Sequence, residues 1–160
     1  MKKKKKTSSS LIFKNKKIFY KYKIKKEIEA SLVLKGWEIK SIKNGKIDIS
    51  NSYITINNRE AYLVGSVFKP LNNVAYINTD DSKRIKKVLL HKFEINNLLL
   101  KIKKENCTIV VLSLYWKNSF VKMKIGLAKG KKKYEKRDCI KKREWKISKN
   151  KIIKNKKKYN

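Results

Sequence analysis

Period-two alternation dominates the chain. Val121, Met123, Ile125 and Leu127 interleave with Lys122, Lys124 and Gly126, and Thr108–Tyr115 is a second apolar-rich run of strand length. With the turn Trp116-Lys117-Asn118-Ser119 between them, Thr108–Tyr115 and Phe120–Ala128 read as a β-hairpin. Alternation of Ile18, Tyr20, Tyr22 and Ile24 with lysines predicts another half-buried strand. Further short strands are expected at Trp37–Ile42, Gly45–Ile49, Tyr53–Asn57 and Ala61–Phe68, with turns at Asn44-Gly45 and Asn57-Asn58.

Helical signals are fewer. Glu27–Lys35 predicts a short helix, with acids in its first turn and Gly36 just past its end. Asp80-Asp81-Ser82 offers an N-cap to an amphipathic stripe of Ile85, Val88, Leu89, Ile95, Leu98, Leu99 and Ile102, with a break expected near Phe93-Glu94-Ile95. Pro70 opens a polar loop, Leu71 to Asn78. Many short strands with a few helices predict a mainly β fold, a small antiparallel Greek-key barrel of the OB type.

Composition then divides the chain. Between Lys129 and Asn160, 16 of 32 residues are Lys or Arg and three are acidic, so no core can form there. Three regions follow: a basic disordered arm (1–10), a barrel body (11–130) and a basic tail (131–160), disordered when free and helical when bound. The 160 residues carry 45 Lys+Arg against 12 Asp+Glu, a net charge of +33. Such a body calls for a polyanionic partner, nucleic acid or an acidic membrane surface. No apolar run approaches the length of a membrane span, and no apolar stretch follows Lys2–Lys6 as in a secretory leader. A cytoplasmic monomer is expected.

Candidate chemistry is sparse. Cys107 and Cys139 lack partners at metal-ligand spacing, His91 is the single histidine, and Ala128-Lys129-Gly130-Lys131 lacks the spacing and hydroxyl of a phosphate loop. Glu27 and Glu29 do not form a carboxylate dyad. No catalysis, metal, cofactor or small-molecule substrate is expected. Lys122 and Lys124 form either an ordinary solvated face or a phosphate track running into Lys129, Lys131, Lys132 and Lys133; the net charge favours the track. Tyr20, Tyr22 and Tyr115 suit core or cross-strand packing. Trp145 and Tyr134, stranded in a tail without a core, need an external partner such as a base to stack on.

Longer blocks carry a resemblance. Gly36-Trp37-Glu38-Ile39-Lys40-Ser41, Gly45 to Tyr53, Leu112 to Asn118, Lys124 to Lys132, Lys136-Arg137 and Arg143-Glu144-Trp145 together resemble the family of SsrA-binding proteins (small protein B, SmpB), from about Asn15 to Lys154. The resemblance implies a six-stranded OB-like barrel with about three flanking helices. It also implies a role in rescuing stalled bacterial ribosomes. The body would bind the tRNA-like domain of transfer-messenger RNA (tmRNA, SsrA RNA), and the tail would occupy the empty decoding centre and mRNA channel. Carried over position by position, it implies tmRNA contact or support at Asn15, Glu29, Leu89 and Lys122, with Lys124, Lys129, Lys131 and Lys132 on the same face. In the tail it implies ribosomal contact at Tyr134, Glu135, Lys136, Arg137, Trp145, Ile152 and Lys154. Tyr134-Glu135 departs from the His-Asp usual in the family, and Pro70–Asn78 shows no close likeness. The alternatives are a ribosomal protein whose arms thread rRNA and a general single-strand binder.

Overall fold

The computed structural model describes residues 9–71 and 79–156. The expected arm (residues 1–8 of it), most of the Pro70 loop (72–78) and the last four residues lie outside these. In chain order the elements are β1 (Ser9–Lys14), α1 (Lys16–Lys21), β2 (Tyr22–Leu32), α2 (Gly36–Lys43), β3 (Ile47–Asp48), β4 (Tyr53–Asn57), β5 (Glu60–Val64) and β6 (Val67–Phe68). A 3-10 turn (Thr79–Lys83) leads to β7 (Lys86–Leu89), α3 (Lys92–Glu105), β8 (Thr108–Lys117), β9 (Phe120–Gly130) and α4 (Lys133–Lys156).

Six strands close on themselves in the order β8-β4-β5-β7-β2-β9, with β9 returning to β8, every pairing antiparallel; β1 extends the far end of β8. This is the expected mainly β barrel. The β8–β9 hairpin is also as expected, but both strands run longer, leaving only Asn118 and Ser119 in the turn, both with positive φ. That conformation matches the twist of the flanking strands. Asn58 and Arg59 repeat it between β4 and β5.

Inside the barrel, Leu63, Ile109, Val111, Leu114, Met123, Ile125 and Leu127 are buried. The apolar run Ile109-Val110-Val111-Leu112 is buried on both faces of β8. The second face needs a cover, which α1 supplies through Ile18 over Val110, Leu112 and Ala128. Here β9 passes so close that a Cβ on Gly126 would lie 3.1 Å from Leu112.

Several expected elements change type. The predicted strand around Ile18–Ile24 is split: 16–21 are helical, and β2 begins only at Tyr22. The predicted helix Glu27–Lys35 is instead the body of β2. Its sequence alternates as well, with Ile28 and Ala30 turned inward and Glu27, Glu29 and Ser31 outward opposite Gly126, Lys124 and Lys122 of β9. Cross-strand attraction of acids and lysines favours that register. The predicted strand Trp37–Ile42 is α2, which buries Glu38, Ser41 and Ile42 at helical spacing, and Gly36 opens it rather than ending a helix. Residues 86–89 of the predicted stripe form β7, with Lys86 and Val88 inward, so the helix begins at Lys92 and runs unbroken.

The inward lysine has a specific partner. Glu38 and Lys86 are both fully buried, with Lys86 Nζ 3.5 Å from Glu38 Oε1 and 4.3 Å above the Phe68 ring. Lys86 Nζ also donates to the Arg84 carbonyl (2.8 Å) and the Ser66 hydroxyl (3.2 Å). Glu38 in turn accepts from Arg84 Nη2 (2.7 Å) and the Lys35 backbone N–H (2.6 Å). Burial pushes the Lys86 ammonium below the usual lysine range, against the opposing pull of Glu38. This knot ties α2 to β7.

Candidate nucleic-acid interface

The outer surface of β2, β9 and β8 follows from strand parity: Glu29, Lys122, Lys124, Tyr115 and Lys117 all point away from the core. Glu29 organises it. Its carboxylate accepts from the Tyr115 hydroxyl (2.6 Å) and from Lys117 Nζ (3.0 Å), with Lys122 Nζ 3.9 Å away. Lys122 also donates to the Ser31 hydroxyl at 2.8 Å. The Tyr115 hydrogen bond, then that from Lys117, holds the Glu29 carboxyl below the ordinary glutamate range. Burial, and next the Glu29 carboxylate, push the Tyr115 phenol well above the tyrosine range. At neutral pH the cluster is thus a fixed carboxylate ringed by donors.

Leu89 lies across from Ser31 on β7 and is 51% exposed. Glu29, Ser31, Leu89, His91, Glu94 and Lys122 line one open groove of about 370 Å³. Three of the positions singled out by resemblance, on three different strands, therefore meet in one place. Lys124 adjoins them and is paired with Glu27 at 3.3 Å; Lys129 is exposed further along β9, opposite Lys23 of β2. The groove exposes charged donors, an acceptor and an apolar side chain, which suits phosphates, 2′-hydroxyls and base edges.

Asn15 lies elsewhere. It is 1% exposed, its Nδ2 donates to the Ser50 carbonyl at 2.9 Å, and its backbone N–H reaches the Leu112 carbonyl at 2.8 Å. Its structural task is to brace the 49–52 turn against β8. Lys131 is also committed within the protein, donating to the Phe19 carbonyl (2.9 Å) and to Cys139 Sγ (3.2 Å). Lys132 is exposed, and its backbone N–H donates to Glu135 at 2.8 Å, an N-terminal cap for α4.

In α4, Tyr134 (61% exposed) and Trp145 (68% exposed) stand in the open, as do Arg137 and Ile152; Lys136 is half-buried. Lys154 belongs to the helix, but its side chain lies outside the described residues. Tyr134, Trp145 and Ile152 are spaced by eleven and then seven residues, close to three and two full turns, so they share a line along the helix. Ile140 and Ile147, seven apart, form another line on a different side. Lys149 Nζ sits 5.2 Å from the Trp145 ring centre.

Sequence reasoning missed Lys117 and the hydrogen-bonding role of Tyr115. The position of Tyr115 on the outward phase of β8, alternating with buried Leu114, was the available signal. His91, expected within a helix, instead precedes α3, its backbone N–H donating to Glu94 at 3.1 Å, and lies in the groove.

The Glu29 network gives stability a pH dependence. Because the folded carboxyl titrates lower than the unfolded one, its contribution is complete above the unfolded value and lost as pH falls through the folded one. Thermal unfolding from pH 6 to pH 3 should thus fall less steeply for Glu29→Gln than for the wild type. A slope remains, since Asp48, Glu60 and Glu105 are also held low. Identical acid limbs would show that the network contributes nothing.

A six-stranded antiparallel barrel with a lysine-rich outer face and a long basic helix has the architecture and charge of a nucleic-acid-binding protein. The family model described as SmpB protein matches residues 12–155, nearly the whole chain, and the chain belongs to that family. It is also similar to a chain of a solved structure described as "tmRNA-SmpB: a journey to the center of the bacterial ribosome". The identity is 34%, with a TM-score of 0.62, over 78% of this chain and 87% of that one. Among the described residues no helix is long and apolar enough to cross a membrane.

Proposed function

We propose that this protein is the tmRNA-binding adaptor of trans-translation. The body takes the tRNA-like domain of tmRNA and brings it to stalled ribosomes, and the tail fills the vacant decoding centre and mRNA channel so that the nascent chain is tagged. Convergence of Glu29, Leu89 and Lys122 in one groove is the observation that carries this reading. The protein acts in the cytoplasm by binding alone, without covalent chemistry of its own. Glu29 supplies an acceptor that discriminates hydroxyl and amino donors from bare phosphate, and Lys124, Lys129 and Lys132 follow the backbone.

The tail serves a second, ribosomal step. From Ile140 to Ile153 every α4 side chain is exposed, and a helix without packing is marginal in water. Off the ribosome this segment frays; enclosed by rRNA, which neutralises its lysines, it holds its helical form. Tyr134, Glu135, Lys136 and Arg137 act near the decoding centre, and Trp145, Ile152 and Lys154 further along.

The test is competition for labelled tRNA-like domain at about 150 mM salt, where non-specific contacts have Kd values near 10⁻⁴–10⁻⁶ M. Elongator tRNA and an rRNA fragment are the competitors. The tmRNA domain should win by orders of magnitude. Equal competition would overturn the reading in favour of a basic ribosomal protein.

A further inference from the structure

We propose that Lys131 is the pin that sets the direction of α4 against the barrel, a positioning residue for the ribosomal step and not a phosphate contact. The proposal rests on the adaptor reading above. Within the run from Lys129 to Lys133, Lys129, Lys132 and Lys133 are exposed, whereas Lys131 is half-buried. Its groups are spent on two helices at once. The backbone N–H donates to the Lys21 carbonyl (3.0 Å) and the ammonium to the Phe19 carbonyl (2.9 Å), both among the last carbonyls of α1. Those carbonyls have no partner inside their own helix, and a cation suits that end of it. The same ammonium reaches Cys139 Sγ, two turns into α4.

Among the described residues, no other side-chain hydrogen bond joins the base of α4 to α1 or the barrel. Gly130, just before, has nothing within 4 Å of where a Cβ would stand, so local crowding imposes no direction there. Glu135 caps the start of α4 but binds only Lys132, its own neighbour in sequence. Beyond Cys139 every described side chain of α4 is exposed, so the α1 end is the last place where the helix touches the body.

Lys131→Met in the full-length protein keeps the aliphatic stem and removes the donors. Three readouts are needed: amide hydrogen exchange in residues 136–139, affinity for the tRNA-like domain, and tagging on stalled ribosomes. Exchange at the base of α4 should rise about fivefold or more, since the hydrogen bonds to Phe19 and Cys139 are both lost and an ordinary one is worth about that factor. Affinity should stay within about twofold, a change too small for a lost charge-assisted contact, and tagging should fall several-fold. Lys132→Met should do the reverse, lowering affinity with exchange unchanged. Cys139→Ser, whose oxygen still accepts, should behave as the wild type. Reduced affinity with unaltered exchange in Lys131→Met would make Lys131 a phosphate contact and overturn the pin. So would a wild-type protein unprotected at 136–139. Failure of the wild type to prefer the tmRNA domain would sink the adaptor reading separately, leaving the exchange comparison to stand.

Discussion

Glu38→Ala is expected to destabilise the protein by about 3–5 kcal/mol, the cost of leaving a buried charge without its partner. For a body of this size that lowers Tm by roughly 10–20 °C. Lys86 is fully buried over Phe68, and without Glu38 its ammonium keeps only the Arg84 carbonyl and the Ser66 hydroxyl. Arg84 also loses its carboxylate. The double replacement Glu38→Leu/Lys86→Met should cost much less than the sum of the two single changes, since neither charge then remains to be solvated. Thermal unfolding of the four proteins measures this. Strict additivity would show that the two residues act independently.

Removing everything after Lys133 should leave affinity for the tRNA-like domain within a few-fold of the intact protein and abolish tagging. The division follows from the contacts: the groove of Glu29, Leu89 and Lys122 is built wholly from the barrel, its rim and the start of α3, with no residue from α4. Losing twelve Lys or Arg against three acids weakens the non-specific component. The truncated protein should therefore show a shallower salt dependence even where specific affinity persists. Trp145→Ala, a far smaller change, should also spare affinity and impair accommodation. Lost tmRNA binding on truncation would refute the two-step division.

The hairpin of β8 and β9 was legible because its alternation is long, uninterrupted and bounded by an Asn-Ser turn. The barrel class was legible from the number of such runs. Residues 27–35 were misread because acids followed by apolar residues satisfy a helix start as well as a strand, and only pairing with Lys122 and Lys124 of β9 separates the two. Residues 37–42 show the converse: Trp37, Ile39 and Ile42 look strand-like until the burial of Glu38 and Ser41 becomes visible. A buried Glu38–Lys86 pair lies beyond any local pattern, because its members are 48 positions apart and both belong to residue types normally exposed. Of the groove, Glu29 and Leu89 were found through family resemblance rather than through chemistry. An acid on a cationic surface makes physical sense only once Tyr115 and Lys117 are seen to hold it.

The 24 residues of α4 make a rod of roughly 36 Å, fastened at one end. Such a rod is a lever. Ile152 stands about 30 Å from the fulcrum at Lys132, at 1.5 Å of rise per residue, so a ten-degree error there sweeps its tip through about 5 Å. Accuracy at the far end of the tail is therefore decided in the first two turns, and a loose base would misplace Trp145 and Ile152 with every one of their own atoms intact.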